Sequence, residues 1–221
     1  MKPSPADVCV QPTSRAGEAY MRVATELSCS IVEFACPDQY VGKVSGVAET
    51  RLSVRHASNA RTSANERCMI LILESPHKDE FKGEPGPARG ATGHAISSQL
   101  MNVIGLRQFS DYGLILMNAI QYQCSLGKPT AKHRDTVFRR VWGSGGAEDF
   151  KDRLKTTYRP GDVIVNCCTK GTSSVTNQQL RTLVKEAIDE CGFAAPSIGR
   201  NHPASWTRNA ANRERVVYGA A

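Results

Sequence analysis

A chain of 221 residues is long enough for one α/β domain with an N-terminal extension, and 40% hydrophobic with 22% charged residues excludes wholesale disorder. The net charge of +7 suits a polyanionic partner, because phosphate neutralisation is the main sequence-independent contribution to nucleic-acid affinity. No run approaches the roughly 18–20 continuous apolar residues of a membrane span, and the first residues lack a basic-then-apolar leader, so a cytoplasmic monomer without a membrane partner is expected.

Residues 1–13 carry three prolines and no periodicity, the pattern of a flexible arm. A single domain is expected over 14–221, its first part (14–67) an N-terminal helical region. From Ser14, the apolar residues Ala19, Met21, Val23, Ala24 and Leu27 recur at helical spacing. Residues 50–67 are polar and rich in arginine (Arg51, Arg55, Arg61, Arg67), which reads as a surface segment. The eight cysteines are irregularly spaced and include no CxxC pair, which argues for reduced thiols and against a metal site.

Four apolar runs follow, at 68–73, 112–117, 162–168 and, more weakly, 195–199. Helical patterns lie between them, at Ile96–Ile104 and Asn177–Cys191. Apolar strands alternating with helices predict a three-layer α/β/α sandwich around a central, mainly parallel four-stranded sheet. In such sheets ligands bind beyond the carboxyl ends of the strands, which directs attention to the residue after each run.

Those residues are chemically loaded. Glu74-Ser75-Pro76-His77 follows the first run, and proline stiffens a turn that can hold a carboxylate in a cleft. Asn118 follows the second, and its amide can read a base edge that pairs one donor with one acceptor. Lys170-Gly171-Thr172-Ser173 follows the third, where backbone N–H groups at a helix start would suit an anion. Asn201-His202-Pro203-Ala204-Ser205-Trp206 follows the fourth, and a histidine there can donate to an oxygen that gains charge. Arg200, Arg208, Arg213 and Arg215 surround that segment.

In this order the landmarks resemble the uracil-DNA glycosylase superfamily, from about Cys68 to Ser205. Leu73-Glu74-Ser75-Pro76-His77 is similar to the family's Gly-Glu-Ala-Pro-Gly motif, and Gly90-Ala91-Thr92-Gly93 to its glycine-rich entry into a helix. Asn118 matches the pyrimidine-binding asparagine, and His202-Pro203-Ala204-Ser205 the final His-Pro-Ser motif. The resemblance implies a monofunctional DNA glycosylase without cofactor or metal, acting on a flipped-out pyrimidine and leaving an abasic site. Glu74 and His202 would be catalytic, while Asn118, His77 and Ser75 would bind the base. Trp206 would fill the gap left in the duplex, and Lys170, Arg200 and Arg208 would contact phosphates.

Ser75 stands where ordinary uracil enzymes carry an aspartate, which leaves Asp79 or Glu80 as alternative acids. His77 stands near the aromatic residue that excludes 5-substituents. The superfamily includes an anti-phage activity that removes glucosylated hydroxymethylcytosine from viral DNA, and a relaxed pocket points to such a modified cytosine. A uracil repair enzyme, a non-catalytic DNA-binding module on the same fold, and a magnesium-dependent hydrolase using Glu74 and Asp79 are the alternatives.

Overall fold

A computed structural model of the chain describes residues 14–28, 34–50, 52, 61–124, 130–171 and 178–219. The expected arm at 1–13 and most of the polar stretch between 50 and 60 lie outside these residues. Helix α1 (Arg15–Glu26) begins where the sequence places it, because the Ser14 hydroxyl accepts a hydrogen bond from the Gly17 N–H at 3.1 Å. Strand β1 (Gln39–Lys43) follows, then β2 (Cys68–Leu73), whose six residues are all buried.

Helix α2 (Ala91–Gln99) leads through a short turn to β3 (Gly113–Asn118). Next come α3 (Thr130–Val141), a π-turn at Trp142–Gly146, α4 (Ala147–Thr157) and β4 (Val163–Asn166). Helix α5 (Leu180–Glu190), β5 (Ile198–Arg200), α6 (Ala210–Glu214) and β6 (Val216–Tyr218) complete the chain.

The six strands form one mixed sheet in the order β1-β3-β2-β4-β5-β6. Its centre, β3-β2-β4-β5, is parallel, and the edge strands β1 and β6 are antiparallel to their neighbours. The sheet is therefore wider than the four strands expected. Short edge strands carry little apolar signal because only one side of each is paired, which is why β1 and β6 escape a reading based on hydrophobic runs.

Alternation along β2 divides the core. Cys68, Ile70 and Ile72 face a cluster built on α1, α3, α4 and α5. Met69, Leu71 and Leu73 face a second cluster built on Ile96, Leu100, Val103, Leu106 and Trp206. Helix α2 begins earlier and ends earlier than Ile96–Ile104. At its start, a Cβ on Gly93 would lie 1.8 Å from the Ala88 carbonyl oxygen, so only glycine permits that approach. At its end, Leu100–Asn102 tightens into a 3-10 turn and Ile104 emerges to solvent. Among the described residues, no helix is long and apolar enough to cross a membrane.

Arg61, expected on the surface, is instead partly buried, its side chain only 6% exposed. Its guanidinium meets Asp162 at 2.7 and 2.9 Å and bonds the Glu66 carbonyl at 2.9 Å. Asp162 also accepts the backbone N–H groups of Cys68 (2.7 Å) and Arg159 (2.8 Å), so this pair fastens the start of β2 to the start of β4. Removing one partner leaves a buried carboxylate uncompensated. Arg61→Ala is therefore expected to lower the unfolding free energy by about 3–5 kcal/mol, read as a fall in the urea midpoint with unchanged slope.

Candidate active site

Glu74 and Asn118 leave adjacent parallel strands side by side, since Leu73 and Asn118 are paired in register. The ladder continues beyond the strands, with the Ala119 N–H donating to the Leu73 carbonyl (2.8 Å) and the Ile120 N–H to the Glu74 carbonyl (3.0 Å). Both backbones are thereby rigid at the point where polar side chains first appear. A cleft of about 440 Å³ opens at this edge, and Glu74, His77, Glu80, Arg134, Thr169 and His202 line it.

Glu74 is 3% exposed, with one carboxylate oxygen 3.2 Å from the Nε of Arg134 and the other accepting from the Thr169 hydroxyl. Ser75 Oγ lies 3.5 Å from the first of these oxygens. Burial pushes the Glu74 pKa up, and the Arg134 charge and the Thr169 hydrogen bond oppose it without cancelling it. A carboxylate raised in this way is a better proton acceptor at neutral pH than an ordinary one.

His202 opens the short turn Pro203–Ser205. Its Nδ1 accepts the Ala204 N–H at 3.3 Å, which leaves Nε2 to carry the ring proton. Burial, aided by the nearby Arg134 charge, lowers its pKa to about 4. The ring is thus a neutral donor in the cleft. Arg134 acts on both groups: it pairs with Glu74 and disfavours a second positive charge on His202.

Asp79 also lines the cleft, but Lys82 holds it at 2.7 Å and draws its pKa down, the opposite of what a base requires. His77 is exposed at the mouth, and its Nδ1 accepts the Asp79 N–H at 3.3 Å. Glu80 is buried within the cleft wall.

Asn118 is 1% exposed and sits behind that wall. Its Nδ2 approaches Cys36 Sγ at 3.6 Å, and the same sulfur is 4.0 Å from Glu80. The Asn118 Oδ1 has no hydrogen-bond partner among the described residues. A buried acceptor left unmet costs about 1–3 kcal/mol.

Two expectations are corrected. Trp206 is fully buried in the second core cluster, because the one-turn helix after Pro203 rotates its indole inward, so it cannot enter a duplex from this position. Arg200 is also fully buried, its guanidinium spent on the carbonyls of Ile104 (2.9 Å), Gly199 (2.9 Å) and Tyr218 (3.4 Å). Lys170 is exposed, but α5 starts ten residues later at Leu180, whose N–H donates to the Lys170 carbonyl; Thr172 and Ser173 lie outside the described residues. Arg213 is likewise structural and donates to the Trp206 carbonyl at 2.6 Å. Arg208 is exposed and lines the cleft.

Arg134 and Thr169 have no landmark in the sequence reading. Arg134 comes from α3, a helix whose basic residues look like a solvated face, and Thr169 lies beyond the last strand residue of the third run. Among the described residues, no group of three or more His, Cys, Asp or Glu side chains is placed to hold a metal ion. Searches against protein-family models, curated proteins and solved structures find no match to this chain.

Two measurements check this geometry. Nitrogen-detected NMR should find the His202 ring neutral with its proton on Nε2 at pH 7, titrating near 4. Trp206→Ala should cost about 3–5 kcal/mol in chemical denaturation, the loss of a core indole.

Proposed function

We propose that the chain is a monofunctional DNA glycosylase that hydrolyses the N-glycosidic bond of a flipped-out pyrimidine. The observation that carries this reading is the pairing, in one cleft, of a buried carboxylate biased toward proton acceptance with a neutral histidine biased toward donation. Breaking the bond leaves positive charge on the sugar and an electron pair on the departing base. Glu74 takes a proton from the attacking water and offsets the sugar charge. The His202 Nε2–H donates to the pyrimidine O2 as that oxygen becomes anionic, a contact stronger in the transition state than in the ground state. The hydroxyl ends on the sugar carbon, and the base departs to regain a proton from solvent.

The unmet acceptor of Asn118 favours an aminopyrimidine. Asn118 Nδ2 faces the Cys36 sulfur, which leaves its unmet Oδ1 as an acceptor, and an acceptor suits the exocyclic amine of cytosine better than the carbonyl at that position of uracil. His77 lines the cleft and is itself exposed, in place of a packed aromatic ring that would exclude a 5-substituent. Both features support a 5-modified cytosine, such as glucosylated hydroxymethylcytosine in phage DNA, as substrate. The three-layer, uracil-DNA-glycosylase-like architecture belongs to the same reading, supported by the parallel centre of the sheet and the cores on its two faces.

Incubation with duplexes carrying uracil, hydroxymethylcytosine or its glucosylated form, followed by alkali, tests the proposal. Strand breakage is expected on the modified cytosine, with Glu74→Gln and His202→Ala each slowing it by about 10²–10³-fold or more. Intact strands on every substrate, or unaltered cleavage by both variants, would remove the reading.

The pH profile carries a sign. Glu74 acts ionised, so the rate falls as pH drops through its raised pKa, and this limb lies above the usual carboxylate range. His202 is uncharged until pH falls toward 4 and adds no limb at neutral pH. An acid limb that stays in place when Arg134 is replaced by Gln would contradict the assignment of Glu74.

A further inference from the structure

A second depression, of about 650 Å³, lies between the start of α5 and β6, lined in part by Gln179, Arg181, Lys185, Glu186, Arg215 and Tyr218. It abuts the cleft through the backbone. The Arg181 N–H donates to the carbonyl of Thr169 (3.2 Å), whose hydroxyl holds Glu74. On the opposite wall, Val216 pairs with Arg200, two residues before His202, so Arg215 stands beside the carboxyl end of β5. The groove and the cleft therefore share one edge of the sheet.

Its cations are unequal. Lys185 is paired with Asp189 and lies 5.3 Å from the Tyr218 ring centre. Glu186 is engaged by the Gln178 amide at 2.6 Å. Arg181 donates from Nε to Gln179 Oε1 at 2.7 Å, which orients its guanidinium, and no carboxylate meets it among the described residues. Arg215 is exposed and has no hydrogen-bond or ion-pair partner among those residues. Burial first, and then the neighbouring Arg215 charge, push the Arg181 pKa down, with Tyr218 opposing.

We infer that Arg181 and Arg215 form a phosphodiester clamp that holds the nucleic-acid strand flanking the residue in the cleft. The partner class rests on the glycosylase reading; the clamp itself rests on the two arginines and their place beside Thr169 and His202. An oriented guanidinium can take two oxygens of one phosphate, and a second cation beside it suits a repeating anion more than an isolated one. Arg208, exposed on the cleft wall and without a side-chain partner among the described residues, extends the same basic edge.

The test is fluorescence anisotropy of the full chain with a labelled duplex of ordinary bases over a salt series, which reads the groove whether or not the cleft releases a base. Arg181→Ala combined with Arg215→Ala should weaken binding roughly ten-fold at low salt and reduce the slope of log affinity against log salt by about 2. Arg215→Glu, at an exposed position that leaves the fold intact, should weaken it further than Arg215→Ala. Lys185→Ala, whose charge is already paired, should change it less than about two-fold. Unchanged affinity and slope in the double variant and in Arg215→Glu would overturn the clamp. Displacement of the duplex by equimolar free nucleoside monophosphate would overturn it in favour of a nucleotide pocket.

Discussion

The buried parallel ladder of β2 between β3 and β4 is the constraint on which the rest depends. Six consecutive buried residues, bonded on both sides, leave no place for a polar side chain until the strand ends. Carboxylate, amide and imidazole therefore collect at one edge, where the ladder still restrains the backbone through the amides of Ala119, Ile120 and Cys167. At the opposite edge, Asp162 gathers Arg61 and two amides and sets the relative height of β2 and β4. The register of the site is in this sense decided at the far end of the strands.

Within the cleft, Arg134 organises the electrostatics. One guanidinium reaches the base candidate directly and the donor candidate through space, and the two effects are complementary. It limits how far burial can raise Glu74, and it adds to the burial that keeps His202 uncharged. A carboxylate and an imidazole brought together without such a cation would tend to form an ion pair, with the histidine protonated and the donor role altered.

The central strands were legible because they are continuous apolar runs, Glu74 because it directly follows one, and His202 because it lies two residues beyond β5. Asn118 was legible by position, but its burial was not, since that depends on Cys36, far away in sequence. Trp206 and Arg200 were misread for a shared reason. A residue that closes a strand, like Arg200, or follows a one-turn helix beyond it, like Trp206, can turn outward or inward; three carbonyl acceptors decide the first case and the helical turn the second. Arg134 stayed hidden because a helix presents basic residues on every side and only the packed structure shows which one points to the cleft.

The unmet acceptor of Asn118 has a consequence for how the molecule balances persistence against use. Among the described residues this oxygen meets no donor, so it forgoes its hydration without a replacement bond. Selection for a durable fold alone would place an apolar residue at 118, beside Met117 and Ala119, both fully buried. An amide kept there leaves a buried acceptor unmet, so the molecule is less stable than its own scaffold allows.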